Sequence, residues 1–183
     1  MRITGGSKKG SVLLSPKGKT IRPSSDYIRQ VIFNIIGHNL SGKKVLDLFS
    51  GTGILGIEAL SRGADYVCFV DKSPYSLRLI KKNLELTGYT KKAILLKIDL
   101  IRMHLKSKKK FDIVFIDPPY DTGLLCKMIN ILPVKEILQD EAIIVGRSSK
   151  RESVPSCINH ISLSDIRTYG DTKLWIFLYG DKK

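Results

Sequence analysis

From residue 41 onward, short apolar runs alternate with longer segments of helical spacing, and this alternation restricts the possible fold more than any other feature. Strands are expected at Lys44–Phe49, Tyr66–Val70, Ala93–Leu96, Phe111–Asp117, Ala142–Val145, Cys157–Leu163 and Lys173–Tyr179. Helical patterns lie between the first five, near 54–62, 74–87, 100–107 and 122–131, with a weaker one at 133–138. Such an order predicts an α/β fold with a mostly parallel sheet covered by helices on both faces. The last two runs have no helical pattern between them and predict an antiparallel hairpin at one edge. Upstream, Ile28, Val31, Ile32, Ile35 and Ile36 share one helical face, opened by Ser25-Asp26 and closed near Gly37. Residues 1–24 are rich in Gly, Ser, Lys and Pro and read as a basic arm or short hairpin. No linker interrupts 25–183, so one domain is expected there, in keeping with a length of 183 residues.

Composition narrows the class. With 43% hydrophobic and 26% charged residues the chain has material for a full core. Its apolar runs are far shorter than the ~20 residues of a membrane helix, and no apolar signal segment opens it. Neither membrane association nor export is expected. Three cysteines, Cys68, Cys126 and Cys157, are odd in number and widely spaced, and His38, His104 and His160 show no ligand spacing. No disulfide framework or metal site is expected, and a cytoplasmic location fits best. The net charge of +14 invites a polyanionic partner. Residues 1–44 concentrate it, with nine basic residues, among them Lys8, Lys9, Arg22 and Arg29, against the single acid Asp26.

The segment Asp47-Leu-Phe-Ser-Gly51-Thr-Gly53 falls where the first strand turns into a helix, and open parallel sheets bind ligands at such carboxyl ends. Gly51-Thr-Gly53-Ile-Leu-Gly56 matches the dinucleotide fingerprint literally, and Asp71 ends the second strand, where an acid can grip ribose hydroxyls. Taken alone, the loop does not choose between NAD and another adenosine cofactor. Asp47 tilts the choice, because a carboxylate beside the loop repels a pyrophosphate and suits a cation such as that of S-adenosylmethionine. Asp99, after the third strand, can meet an adenine amino group or cap the helix expected at 100–107.

A second constellation is more specific. Phe111-Asp-Ile-Val-Phe-Ile-Asp117 is an apolar strand that delivers a carboxylate, followed at once by Pro118-Pro119-Tyr120. Two prolines remove two backbone donors, leaving an acceptor-only site suited to an exocyclic NH2 group. Tyr120 offers a ring on which a flipped base can stack.

With both motifs in place, the sequence resembles the class I S-adenosylmethionine-dependent methyltransferases. The opening Arg2-Ile-Thr-Gly-Gly6, Lys9-Gly10, Arg22-Pro-Ser-Ser-Asp26, Arg29 and Phe33-Asn34-Ile35 are similar to the bacterial 16S ribosomal RNA guanine-N2 methyltransferases that modify guanine 966. The likeness runs from Arg2 to the Tyr169-Gly170-Asp171-Thr172 segment. It implies a Rossmann-like seven-stranded sheet, a monomer, S-adenosylmethionine as cofactor, and an assembled or assembling small ribosomal subunit as substrate. It further implies cofactor contacts from Asp47, Phe49, Gly51, Gly53, Asp71, Lys72, Asp99 and Leu100. Asp117, Pro118, Pro119 and Tyr120 would hold the target guanine. Lys8, Lys9, Arg22, Asp26 and Arg29 would line the substrate side. Relatives often end the fifth strand in acidic residues, whereas Gly146-Arg147-Ser-Ser stands here.

Competing functions are a DNA adenine-N6 methyltransferase, for which the chain lacks room for a target-recognition region, and a non-catalytic ribosomal RNA-binding module. A protein-glutamine methyltransferase would usually carry Asn in place of Asp117. An NAD-dependent oxidoreductase rests only on the literal glycine fingerprint.

Overall fold

The structure is a computed structural model that describes residues 1–16, 26–101, 107, 109–134, 136–155, 157, 158 and 160–180. The chain divides into two compact units, Met1–Leu100 and Ile101–Lys183.

In the first unit the elements are α1 (Asp26–Ile36), β1 (Lys44–Leu48), α2 (Ile54–Ser61), β2 (Tyr66–Asp71), α3 (Pro74–Thr87), a 3-10 turn (Thr90–Lys92) and β3 (Ala93–Lys97). The strands lie in the order β3-β2-β1, all parallel, with Asp47 beside Phe69 and Asp71 beside Lys97. Val45, Leu46, Leu48, Val67, Phe69 and Val70 are all buried, which is why these strands read as unbroken apolar runs rather than alternating ones. Helix α2 lies tight against β2 because Gly56 has no side chain. A Cβ there would sit 2.3 Å from a Phe69 ring carbon. Helix α3 has its Pro74 at the first turn, a Ser73 cap whose hydroxyl accepts the Ser76 N–H, and a left-handed Gly88 at its end.

The first thirteen residues form a hairpin, with Arg2 bridged to Val12 and backbone bonds from Ile3 N to Ser11 O and from Gly10 N to Ile3 O. It is not wholly separate from the core, as its composition implies, because Ile3 and Leu13 are buried. Gly5 and Gly6 let it press on the end of α2: a Cβ on Gly5 would meet the Arg62 guanidinium at 2.3 Å, and one on Gly6 the Ser61 carbonyl oxygen at 1.9 Å.

The second unit contains β4 (Phe111–Ile116), α4 (Leu124–Val134), β5 (Leu138–Ser149), β6 (Cys157–Ile158), β7 (Ile161–Tyr169) and β8 (Thr172–Tyr179). Its strands run in the order β4-β5-β8-β7-β6. The β4/β5 pair is parallel and the rest are antiparallel. Three expectations are corrected here. The 133–138 helix is absent: α4 runs on to Val134 and β5 begins at Leu138. Strand β5 is much longer than Ala142–Val145 because it pairs on both sides. The run Cys157–Leu163 is two strands, broken at His160 with φ 64°. The expected 100–107 helix lies mostly outside the described residues.

Candidate active site

The first unit gathers the ends of three adjacent strands. Asp47 is buried, and its Oδ2 accepts the Gly56 N–H at 3.1 Å, in the first turn of α2. A carboxylate at a helix amino terminus is favoured by the free N–H groups there. After β1 the chain turns sharply through left-handed conformations at Phe49 (φ 56°), Gly51 (φ 53°) and Gly53 (φ 73°). For Phe49 that conformation is strained. Gly53 is doubly required, since a Cβ would also approach Ile80 to 2.8 Å. Ser50 fastens the loop to β2: its hydroxyl lies 2.6 Å from the Asp47 carbonyl oxygen and accepts the Val70 N–H at 2.9 Å.

Asp71 ends β2 and ties the loop to α3. Its Oδ2 accepts the Gly51 N–H at 2.8 Å, and its Oδ1 accepts the Ser73 N–H at 2.8 Å. Each oxygen retains acceptor capacity, so the carboxylate can also receive hydroxyl hydrogens. Lys72 follows and is exposed. Asp99 and buried Leu100 follow β3, where Ile98 N–H donates to the Asp71 carbonyl at 3.2 Å. Asp47, Phe49, Gly51, Gly53, Asp71 and Asp99 are thus at neighbouring strand ends. The backbone-lined turn, the buried acid beside it and the half-buried acid at the next strand fit a cationic adenosine cofactor. Burial, then Cys68, push the Tyr66 phenol above its ordinary value, but Tyr66 begins β2 and Asp71 ends it.

The substrate-side residues separate. Lys8 and Lys9 are exposed at the hairpin turn, Asp26 is exposed, and Arg22 lies outside the described residues. Arg29 does not line an open surface, contrary to expectation. It is fully buried, binds the Asp26 carboxylate at 2.8 Å and donates to the Arg2 carbonyl at 2.6 Å. It therefore fixes the hairpin base to α1. At the other side of the hairpin, Thr4 N–H and hydroxyl donate to buried Glu58 at 2.8 and 2.7 Å, and Arg62 holds the same carboxylate at 3.0 Å. Arg62 also contacts His38 Nδ1 at 3.0 Å and lies over the Phe33 ring.

In the second unit, β4 is followed at once by half-buried Asp117, buried Pro118, exposed Pro119 and half-buried Tyr120. Thr122 hydroxyl donates to the Pro119 carbonyl at 2.6 Å, and Asp121 takes φ 59°, closing the turn. Ile116 faces Gly146 across the parallel β4/β5 pair, so the next residues, Asp117 and Arg147, are neighbours. Arg147 Nη1 donates to Asp117 Oδ2 at 2.7 Å, and Nη2 to the Tyr120 hydroxyl at 3.0 Å. Tyr120 Oη also lies 3.0 Å from Thr172 Oγ1. In the sequence Arg147 stands out only as a departure from a pattern, and Thr172 only as part of the segment where the family likeness ends, with no role at the site. The register would have disclosed Arg147, since it pairs the strand ends. Among the described residues no cluster of His, Cys, Asp or Glu could hold a metal ion, and no helix is long and apolar enough to cross a membrane.

Comparisons with known proteins agree with this architecture. The Escherichia coli yhhF structure is 29% identical, with a TM-score of 0.84 over 98% of this chain and 97% of that one. An RNA methyltransferase from Salinibacter ruber, solved with S-adenosyl-L-homocysteine, shares the fold at 13% identity and a TM-score of 0.68, over 88% of this chain and 96% of that one. The fold is that of the class I methyltransferases. Bacillus subtilis (strain 168) YlbH is 34% identical over 97% of this chain and 98% of its own length. The Escherichia coli (strain K12) protein named ribosomal RNA small subunit methyltransferase D is 32% identical over 85% of this chain and 78% of its own. The family model described as Conserved hypothetical protein 95 matches residues 1–178, and the chain belongs to that family.

Proposed function

We propose that this chain is an S-adenosylmethionine-dependent ribosomal RNA methyltransferase that methylates the exocyclic N2 amine of a guanine in 16S ribosomal RNA, at the position conventionally numbered 966. It would act as a cytoplasmic monomer on an assembled or assembling small subunit. Residues 25–183 would work as one methyltransferase domain, with residues 1–24 as its RNA-facing arm. The observation that carries this reading is the carboxylate of Asp117 at a strand end, followed by two prolines and Tyr120. Relatives named ribosomal RNA small subunit methyltransferase D support the substrate class.

When bound, S-adenosylmethionine supplies an electrophilic methyl group. Asp47 would face the cationic end of that cofactor, the Gly51–Gly53 backbone would lie against it, Asp71 would accept the ribose hydroxyl hydrogens, and Asp99 would meet the adenine. Asp117 and the Pro118 carbonyl would accept the two amine hydrogens of guanine. The nitrogen lone pair, otherwise conjugated into the ring, would thereby be oriented, and positioning of this kind can contribute up to about 7–11 kcal/mol. Negative charge on Asp117 also stabilises the cation that develops on the nitrogen. The proton is easily shed after methylation, so no strong base is needed. Tyr120 would stack on the base, for roughly 1–3 kcal/mol. Lys8 and Lys9 would contact phosphates, giving affinity without base specificity.

Labelled S-adenosylmethionine incubated with unmodified small subunits, naked 16S RNA and duplex DNA, with the labelled nucleoside identified by mass, tests the reading. N2-methylguanosine in ribosomal RNA is expected. N6-methyladenine in DNA would overturn the substrate assignment.

A further inference from the structure

We propose that Arg147 is a positioning residue for the target amine, acting through Asp117 and Tyr120 and not on the substrate itself. This rests on the amine-methylating reading of the Asp117–Tyr120 turn. Arg147 stands near the end of β5 with its side chain 8% exposed. Its neighbours constrain it from both directions along the strand. Gly146 must stay bare because a Cβ there would lie 2.5 Å from Leu125 Cδ1 of α4. Ser148 is buried, and its hydroxyl accepts from Trp175 Nε1 at 2.8 Å.

A guanidinium is planar, permanently charged and carries its donors in a rigid fork. Here one tine reaches the carboxylate that would receive the amine, and the other reaches the hydroxyl of the ring that would receive the base. The spacing between acceptor and stacking surface is therefore set by one rigid group and not by two independent rotamers. Because Nη2 is always a donor, Tyr120 Oη accepts from it, which allows the phenol hydrogen to point to Thr172 Oγ1 at the start of β8. Turn, β5 and β8 are locked into one hydrogen-bonded chain. A lysine at this position would keep the charge but cannot span both partners with fixed geometry.

The test uses full-length R147A, R147K, Y120F and R147A/Y120F, assayed on the acceptor that the parent labels. Also measured are the Kd for S-adenosylmethionine and the unfolding midpoint. R147A is expected to lower kcat by about 100-fold, the loss typical of an ångström-scale misplacement, with cofactor Kd within about two-fold of the parent. Millimolar guanidinium should restore part of the R147A rate, and R147K should fall between R147A and the parent. R147A/Y120F should lose less than the product of the single losses, since one geometry is broken by either change. Two results would overturn the proposal: kcat of R147A within about two-fold of the parent, or a loss that disappears well below the unfolding midpoint and does not respond to guanidinium. A parent that labels DNA or a peptide instead of ribosomal RNA overturns the substrate reading separately, because the Arg147 variants are then compared on that acceptor.

Discussion

At the residue scale, the proposed function gives two carboxylates separable roles. Asp71 holds the loop amide of Gly51 and the Ser73 amide together, and hydrogen bonds to charged groups are worth about 1.5–3 kcal/mol each. Asp71→Ala should therefore weaken S-adenosylmethionine binding by at least about 10-fold by calorimetry, and unchanged affinity would remove this loop from the cofactor site. Asp117→Ala should abolish methyl transfer while cofactor binding is largely kept; comparable turnover in that variant would sink the amine-binding role. Much of this was legible, because Asp47, Gly51, Gly53, Asp71 and Asp117 all sit at strand ends that apolar runs mark out. The left-handed Phe49 was not, since nothing in an aromatic residue announces a positive φ. Arg29 shows the reverse: the family likeness implied a place on the substrate side, whereas the side chain is buried on its partners, Asp26 and the Arg2 carbonyl.

At the element scale, two contacts set how the first unit is assembled. Gly56→Ala forces a methyl group into the Phe69 ring, and overpacking of this kind typically destabilises by 1–3 kcal/mol. Urea unfolding should show a loss of about that size. Asn83, fully buried on α3, imitates a strand partner for Leu14: its Oδ1 accepts the Leu14 N–H at 2.8 Å and its Nδ2 donates to the Leu14 carbonyl at 3.2 Å. Asn83→Ala removes both bonds, each worth about 0.5–1.5 kcal/mol of local stability, and tryptic cleavage after Lys8 or Lys9 should accelerate. Equal cleavage rates would mean that the hairpin is held without Asn83. Buried parallel strands were read almost to the residue, because both faces are apolar. The antiparallel region was less legible: β5 runs on through Arg147, Ser148 and Ser149, which pair with Leu174, Lys173 and Thr172 of β8, and β7 mixes polar and apolar positions, so pairing and not composition extends them.

At the scale of the whole molecule, a charge of +14 makes RNA affinity a salt-dependent quantity. Each phosphate contact on a single strand adds about 0.7 to the slope of log affinity against log salt. The double change Lys8→Ala with Lys9→Ala should lower that slope by about 1 to 2, measured by filter binding to 16S RNA at several salt concentrations. An unaltered slope would take the hairpin turn off the RNA. A target nucleotide is not legible from residues alone: a positive charge suits polyanions in general, and the proposed role of Asp117-Pro-Pro-Tyr120 suits any exocyclic amine.

Helix α2 has a consequence for how the two ligands would communicate. Its amino end receives the Asp47 carboxylate through Gly56, and its other end, through Glu58, Ser61 and the following Arg62, grips the hairpin that bears Lys8 and Lys9. The helix is eight residues long, about 12 Å at 1.5 Å per residue, too short to bend between its ends. Cofactor and RNA would thus be handled at opposite ends of one lever. Linkage then demands symmetry: the factor by which a filled cofactor loop alters affinity for RNA at the hairpin equals the factor by which RNA at the hairpin alters affinity for the cofactor.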